Sequence, residues 1–136
     1  MAKQTGLGMT SLTVDDNSGS GQNIVNDVTN FACSMPRAVQ DTTGVDKFAM
    51  ERLLLLADFS VTLNGVFNIT GNASHDVFKT VPSSAAVSRT VVAVQSGTTL
   101  TAECLLTDYN LTHGQDGSLV WSVPGVLSNG TAPAWT

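Results

Sequence analysis

Between Arg52 and Phe67 the chain reads RLLLLADFSVTLNGVF, and no other stretch restricts the fold so much. From Ala57 onward apolar and polar residues alternate. Ala57, Phe59, Val61, Leu63 and Phe67 fall on one side, and Asp58, Ser60, Thr62 and Asn64 on the other. A period of two belongs to a strand with one buried face. Just upstream, Val45 to Asp58 is rich in strong helix formers, with Thr43 or Asp46 as available caps. Four consecutive leucines, however, give no single helical face. Extended backwards, the alternation places Leu55 and Leu53 on the same face as Phe59. The expectation is one long strand over about 52–68, with at most a helical turn at 45–50. A typical strand has roughly five or six residues. One this long protrudes from its domain or lines a larger assembly.

The rest of the chain fits an all-β reading. Leu7, Met9, Leu12 and Val14 predict a strand over 9–15, closed by a Ser/Gly/Asp loop at 15–23. Ile24 to Val28 is short and holds a turn-prone Asn-Asp pair. Phe31, Cys33 and Met35 alternate with polar or small residues, a half-buried strand that Pro36 limits. After a turn at 68–73, Ser74 is placed to cap a short helix over about 74–81, which Pro82 ends. Val87 to Gln95 and Thr98 to Tyr109 form the clearest hairpin, turning at Ser96-Gly97. In it, Leu100, Ala102, Cys104 and Leu106 share the inward face. Asn110 to Gly117 reads as a loop, Leu119 to Val123 as a strand broken by Pro124-Gly125, and the remainder as a polar tail. About six strands and one short helix predict a β-sandwich or partial barrel, 1–136 being a single domain. Its flexible parts are expected at an N-terminal arm (about 1–8), at 15–23, at 40–51 and in a C-terminal tail (about 125–136).

Charge is scarce. Of 136 residues, 12% are Asp, Glu, Lys or Arg, about half the usual share. The hydrophobic share of 42% sets the chain apart from disordered sequences. The net charge is -5, and the six basic residues are scattered, so tight binding to nucleic-acid phosphates is not expected. No run approaches the roughly 20 apolar residues that span a bilayer, and Met1 to Gln4 leads into Gly, Thr and Ser without the apolar core of a secretory signal. The expectation is a product made in the cytosol, its four Asn-x-Ser/Thr sequons unused.

Residues able to carry chemistry are few. Cys33 and Cys104 form no CxxC, and with only His75 and His113 there is little material for a zinc site. Both cysteines lie at apolar positions and read as reduced core thiols, although one disulfide stays open. A nucleophilic site needs a base near its nucleophile. His75 falls at the helix start and His113 in a Gly/Asp turn, both ordinary places. Asp15-Asp16 lies in a Ser/Gly loop lacking the ligand spacing and terminal Glu of a calcium-binding loop. Trp121 reads as core, while Trp135 is an apolar residue on a tail that needs a neighbour. No catalytic, cofactor or metal residue is expected. That pattern suits a structural protein better than an enzyme.

Three runs carry a family resemblance: Asp27 to Phe31, Ser34 to Lys47, and Glu51 to Phe59. With Ser74 to Phe78 and the hairpin after it, they resemble the tail tube, or major tail, proteins of long-tailed (siphovirus-like) bacteriophages, over roughly Asp27 to Trp121. The resemblance implies a β-sandwich or partial barrel with a flanking helix, six copies of which form a ring-shaped continuous β-barrel. Rings stack into a tube that delivers double-stranded DNA without binding it tightly. It implies other tail proteins as partners (tape measure, tail tip, terminator), location in the virion and assembly in the bacterial cytoplasm. Asp41, Thr42, Thr43, Gly44, Val45, Asp46, Lys47 and Phe48 are then the inter-ring stacking loop. Asp58, Ser60, Thr62 and Asn64, the polar face of the long strand, are lumen candidates. Remaining readings are a head decoration protein, a tail terminator or connector, a small carbohydrate- or receptor-binding β-sandwich and, least supported, a hydrolase.

Overall fold

The computed structural model describes residues 3–83 and 87–136. These residues make an all-β fold with one short α-helix. Its strands are β1 (Met9–Asp15), β2 (Gly21–Asn23), β3 (Val28–Ser34), β4 (Arg37–Asp41), β5 (Arg52–Ala57), β6 (Ser60–Val66), β7 (Arg89–Gln95), β8 (Thr98–Leu106), β9 (Asn110–His113), β10 (Leu119–Leu127) and β11 (Ala134–Trp135). The helix α1 spans Ser74–Phe78. Nine strands form one antiparallel sheet along β2-β1-β7-β8-β10-β6-β3, with β9 on β10 and β11 on β8. β4 and β5 form a separate two-stranded ribbon.

One face of the large sheet is apolar from β1 to β3, apart from the buried Arg89 at the start of β7. Leu12 pairs with Ala93, Ala93 with Leu100, Gly125 with Val61, and Val123 with Leu63. Paired residues point the same way, so these side chains share a face. All but Gly125 lie in a single buried cluster with Val77 and Phe78 of α1. Residues from both halves of one sheet meet in one core only if the sheet curls round it. Among the described residues its end strands β2 and β3 do not pair with each other, and the barrel stays open. Trp121 is core, as the sequence suggests, and its indole N–H donates to the Val66 carbonyl at 2.7 Å. A Cβ on Gly65 would run into that indole and into the Asp27 carbonyl, so only glycine lets β6 approach so closely. The hairpin of β7 and β8 turns where the sequence places it. Ser96 and Gly97 both have positive φ, 51° and 82°, the geometry that favours tight hairpin turns.

Several expectations change. The long strand is two, β5 and β6, separated at Asp58-Phe59. Residues 45–50 make turns and bends rather than a helical turn. The helix stops at Phe78, and Ser74 does not cap it. Its amide instead donates to the buried Asp27 carboxylate at 3.0 Å, and its hydroxyl to the Val66 carbonyl. Asp27, held also by the Asn68 amide at 2.9 Å, anchors the helix start from 47 residues away. At the other end the buried Arg89 donates to the Val77 carbonyl and to the Thr80 hydroxyl. The 110–117 loop holds β9, and the 15–23 loop holds β2.

Pro124-Gly125 does not break β10. The Pro124 carbonyl accepts from Thr107 N–H where β9 has ended and β8 begins, so the missing N–H faces a gap in the neighbouring ladder. The supposed tail therefore starts after Leu127 and ends in β11, where Trp135 pairs with Leu100. Residues 6–8 of the expected N-terminal arm form a 3-10 turn, and its first two residues lie outside the described ones.

Candidate assembly surface

Two features stand out against the core. The first is the ribbon. Ser34 pairs with Ser60 at the end of the β3–β6 ladder, and Arg37 pairs with Ala57 where β4–β5 begins. The ribbon thus prolongs the β3–β6 pair beyond the domain. Asp58 N–H donates to the Pro36 carbonyl at 2.9 Å across the junction. Arg37 braces the base, its Nε and Nη2 both donating to the Leu55 carbonyl. Beside it lies an open hollow of about 510 Å³ lined by Pro36, Arg37, Ala38, Leu56, Ala57 and Asp58.

The tip, residues 42–51, is held by its own hydrogen bonds. Thr43 N–H donates to the Asp41 carboxylate, the Thr43 hydroxyl to the Glu51 carbonyl, and Glu51 N–H to the Thr43 hydroxyl. Bonds from the Thr43 hydroxyl and amide hold the Asp41 carboxyl below the usual carboxylate range. All eight stacking-loop candidates therefore sit at the outer end of one ribbon, from Asp41 at the close of β4 to Phe48 beside the outer turn.

Sequence reasoning misplaced the leucines. Leu53 and Leu55 were expected on the core face of a continuous strand, yet Leu53, Leu54 and Leu56 are 56%, 62% and 88% exposed. The reason is the break at Asp58-Phe59: beyond it, among the described residues, no sheet lies opposite. Val39, Val45, Phe48 and Met50 are exposed on the same ribbon. The available signal was the run itself, since continuous apolar residues mark strands buried on both faces.

The second feature is the outer face of β6. Ser60 and Thr62 are exposed and Asn64 is half-buried. Their partners are Ser34, Ala32 and Asn30 on β3, and Val126, Pro124 and Ser122 on β10. These three strands present a continuous outer face of short, uncharged side chains. Asp58, grouped with the lumen candidates, sits instead in the break, its carboxylate accepting from Phe59 N–H at 2.7 Å.

The other polar candidates are structural. The Asp16 carboxylate accepts from Ser18 and Ser20 and builds the β1–β2 turn, and the Ser18 hydroxyl bond lowers its pKa. His75 is not an exposed residue at a helix start. It is half-buried, 3.1 Å from the Tyr109 hydroxyl, with its ring tilted at 49° against that of Phe67. His113 is exposed on β9. Cys33 and Cys104 are both free thiols, the first half-buried and the second buried. Among the described residues no three His, Cys, Asp or Glu side chains gather as metal ligands, and no helix is long and apolar enough to cross a membrane.

No family model and no curated protein matches the sequence. Solved structures do. A chain from the tail of an empty gene transfer agent particle, described with C6 symmetry, superposes with a TM-score of 0.75 at 15% identity, covering 98% of this chain and 99% of that one. A chain of the native gene transfer agent virion gives 0.71 at 13%, with coverage of 98% and 99%. A chain of the six-fold symmetrised anti-feeding prophage baseplate gives 0.68 at 13%, with coverage of 100% and 97%. The chain has the fold of these tail-particle proteins. The likeness takes in both the curled sheet and the ribbon, because the alignments leave almost none of the chain uncovered. The resemblance read from residues 27 to 121 thus agrees with the fold.

Proposed function

We propose that this chain is a structural virion subunit of a long-tailed phage or phage-derived particle. In this reading, 1–136 is one tail-tube-like domain that assembles into stacked hexameric rings, and the tube carries genomic DNA to the host. The observation that carries the reading is the full-length likeness to chains of particles described with six-fold symmetry. The ribbon supports it, because an apolar arm with no cover in its own domain needs a neighbour. The open edges of β2 and β3 are suited to joining copies edge to edge. The uncharged outer face of β3, β6 and β10 suits a lumen wall: without Lys or Arg it offers DNA phosphates no site at which to stick. Ser60, Thr62 and Asn64 are the lumen residues in this reading, and 41–48 the contact to the next ring. The tail tip, tape measure and terminator proteins would meet the ends and interior of the tube.

Electron microscopy of the purified chain at high concentration tests it. Hollow tubes or stacked six-fold rings are the expected result. Single rings that never stack would instead favour a terminator or connector, and a persistent monomer would sink the reading. Replacing Thr42–Glu51 with an Asn-Gly turn is expected to abolish tube growth while circular dichroism stays that of a folded β domain.

A further inference from the structure

The ribbon is apolar on both faces, and a single partner surface cannot cover it. The register puts Val39 opposite Leu54 on one side and Gln40 opposite Leu53 on the other, and a register shift between Arg37 and Val39 interrupts the alternation at Leu55 and Leu56. Both sides are open: Val39 and Leu54 are exposed on one and Leu53 on the other, with Leu55 and Leu56 exposed at the shift. An arm laid on one neighbour would alternate, apolar beneath and polar above, as β6 alternates over its own core. The leucine run lacks that alternation.

Area shows that the cover has to be extensive. Taking roughly 200 Å² for a fully exposed large apolar residue, the exposed apolar side chains from Val39 to Leu56 leave on the order of 1,000 Å² uncovered. One partner in a standard interface contributes about 800 Å². The ribbon's area is also split between two faces that point in opposite directions. The arm is preformed as well. Its tip is tied by Thr43 and its base by Arg37, so little order has to be gained on docking.

We propose that the ribbon is clamped, each face covered by a separate surface supplied by other copies of this chain. The identity of the occupant rests on the assembly reading above; the two-sided cover rests on the ribbon alone. In a stack of rings such an arm lies in the seam between two subunits of the neighbouring ring. Each arm then ties two subunits together, and a ring is held closed by the ring beside it.

The test uses single cysteines on the two faces, Leu54→Cys and Leu53→Cys, in a Cys33→Ser background where Cys104 remains buried. Sedimentation first establishes whether the purified chain assembles. If it stays monomeric at high concentration, the assembly reading fails and the clamp fails with it. In assembled protein, a small water-soluble maleimide is expected to react at least tenfold more slowly at both positions than in the unassembled chain. Monomer-like reactivity at either position in assembled material overturns the clamp and leaves the assembly reading standing. Should the cysteines themselves block assembly, hydroxyl-radical footprinting of the unaltered chain reads Leu53 to Leu56 directly. Protection on both faces supports the clamp, and protection on one overturns it. Protection that appears only when other tail proteins are added overturns copies of this chain as the occupant.

Discussion

β5 and β6 follow one another with a two-residue break, yet they solve opposite problems. β6 buries Val61 and Leu63 and turns Ser60 and Thr62 outward. β5 spends four leucines and buries none of them. Both are extended and both pair with the strand running back from the same turn. What differs is what lies across from them. β6 faces β1, β7, β8 and α1 through a shared core, whereas β5 has passed the edge of the domain. Apolar content alone therefore says little about burial in a single chain. The pattern tells more: alternation marks a strand with one face on a core, and a continuous run marks one that calls for cover on both faces, which β5 does not find among the described residues.

The sharpest way to break this comparison is to truncate one leucine in each strand. Leu63→Ala should cost the unassembled chain about 2–5 kcal/mol, the usual range for a fully buried leucine. Leu54→Ala should change it by no more than about 0.5 kcal/mol, as at other exposed sites. Urea unfolding of the monomer measures both, and equal losses would show that the ribbon packs on its own domain.

Gly65 refines the β6 side. Gly65→Ala places a methyl against the Trp121 indole and the Asp27 carbonyl, and should cost about 1–3 kcal/mol by overpacking. A blue or red shift in tryptophan emission of the folded variant would report the displaced ring.

The legible part of the fold was the part whose partners lie within the chain. Phe59, Val61 and Leu63 announce their shared face by alternation, and Leu100, Ala102 and Cys104 do the same on β8. What escaped notice depended on neighbours remote in sequence. β9 is a polar stretch ordered by pairing with β10. The helix start is satisfied by Asp27, which left Ser74 free for another bond. Pro124 sits inside a strand because the adjacent ladder happens to be interrupted there. In the candidate surface, the tip at 41–48 was pointed to by the family resemblance and the polar face at 60–64 by the alternation along β6. The leucines between them were assigned to the wrong environment, since a sequence does not state where its domain ends.

A smaller effect concerns pH. Burial, with the Glu103 charge beside it, pushes the Cys104 thiol up from 9.0 to about 11. Between those values the unfolded chain has lost the thiol proton and the folded chain keeps it. The unfolded state binds fewer protons, so stability falls as pH rises through this window. Relative to Cys104→Val, the melting temperature of the natural chain should drop between about pH 9 and 11, with no such divergence below pH 8. Parallel melting curves across that range would show that the site is more open than its burial indicates.

The smallest change is expected on the outer face of β6. Thr62→Lys should leave monomer stability within about 0.5 kcal/mol, because the position is exposed. In assembled protein the same lysine would raise the affinity for short double-stranded DNA at low salt if that face lines the channel. Unchanged DNA binding by the tubes would move the channel wall to another face.

The continuity of the ribbon with β3–β6 has a consequence for how the chain closes on itself. Without β4–β5, bringing Ser34 to Ser60 means closing a loop of the 25 residues between them. With Asp41 already paired to Arg52, only the 10 residues of the tip remain to be closed. By the logarithmic dependence of closure entropy on length, the shorter loop is favoured by about 0.8 kcal/mol. The strands can then zip inward from the tip, each pair prepaying the search for the next. The segment most exposed to other molecules is thus also the local contact from which β3 and β6 find their register.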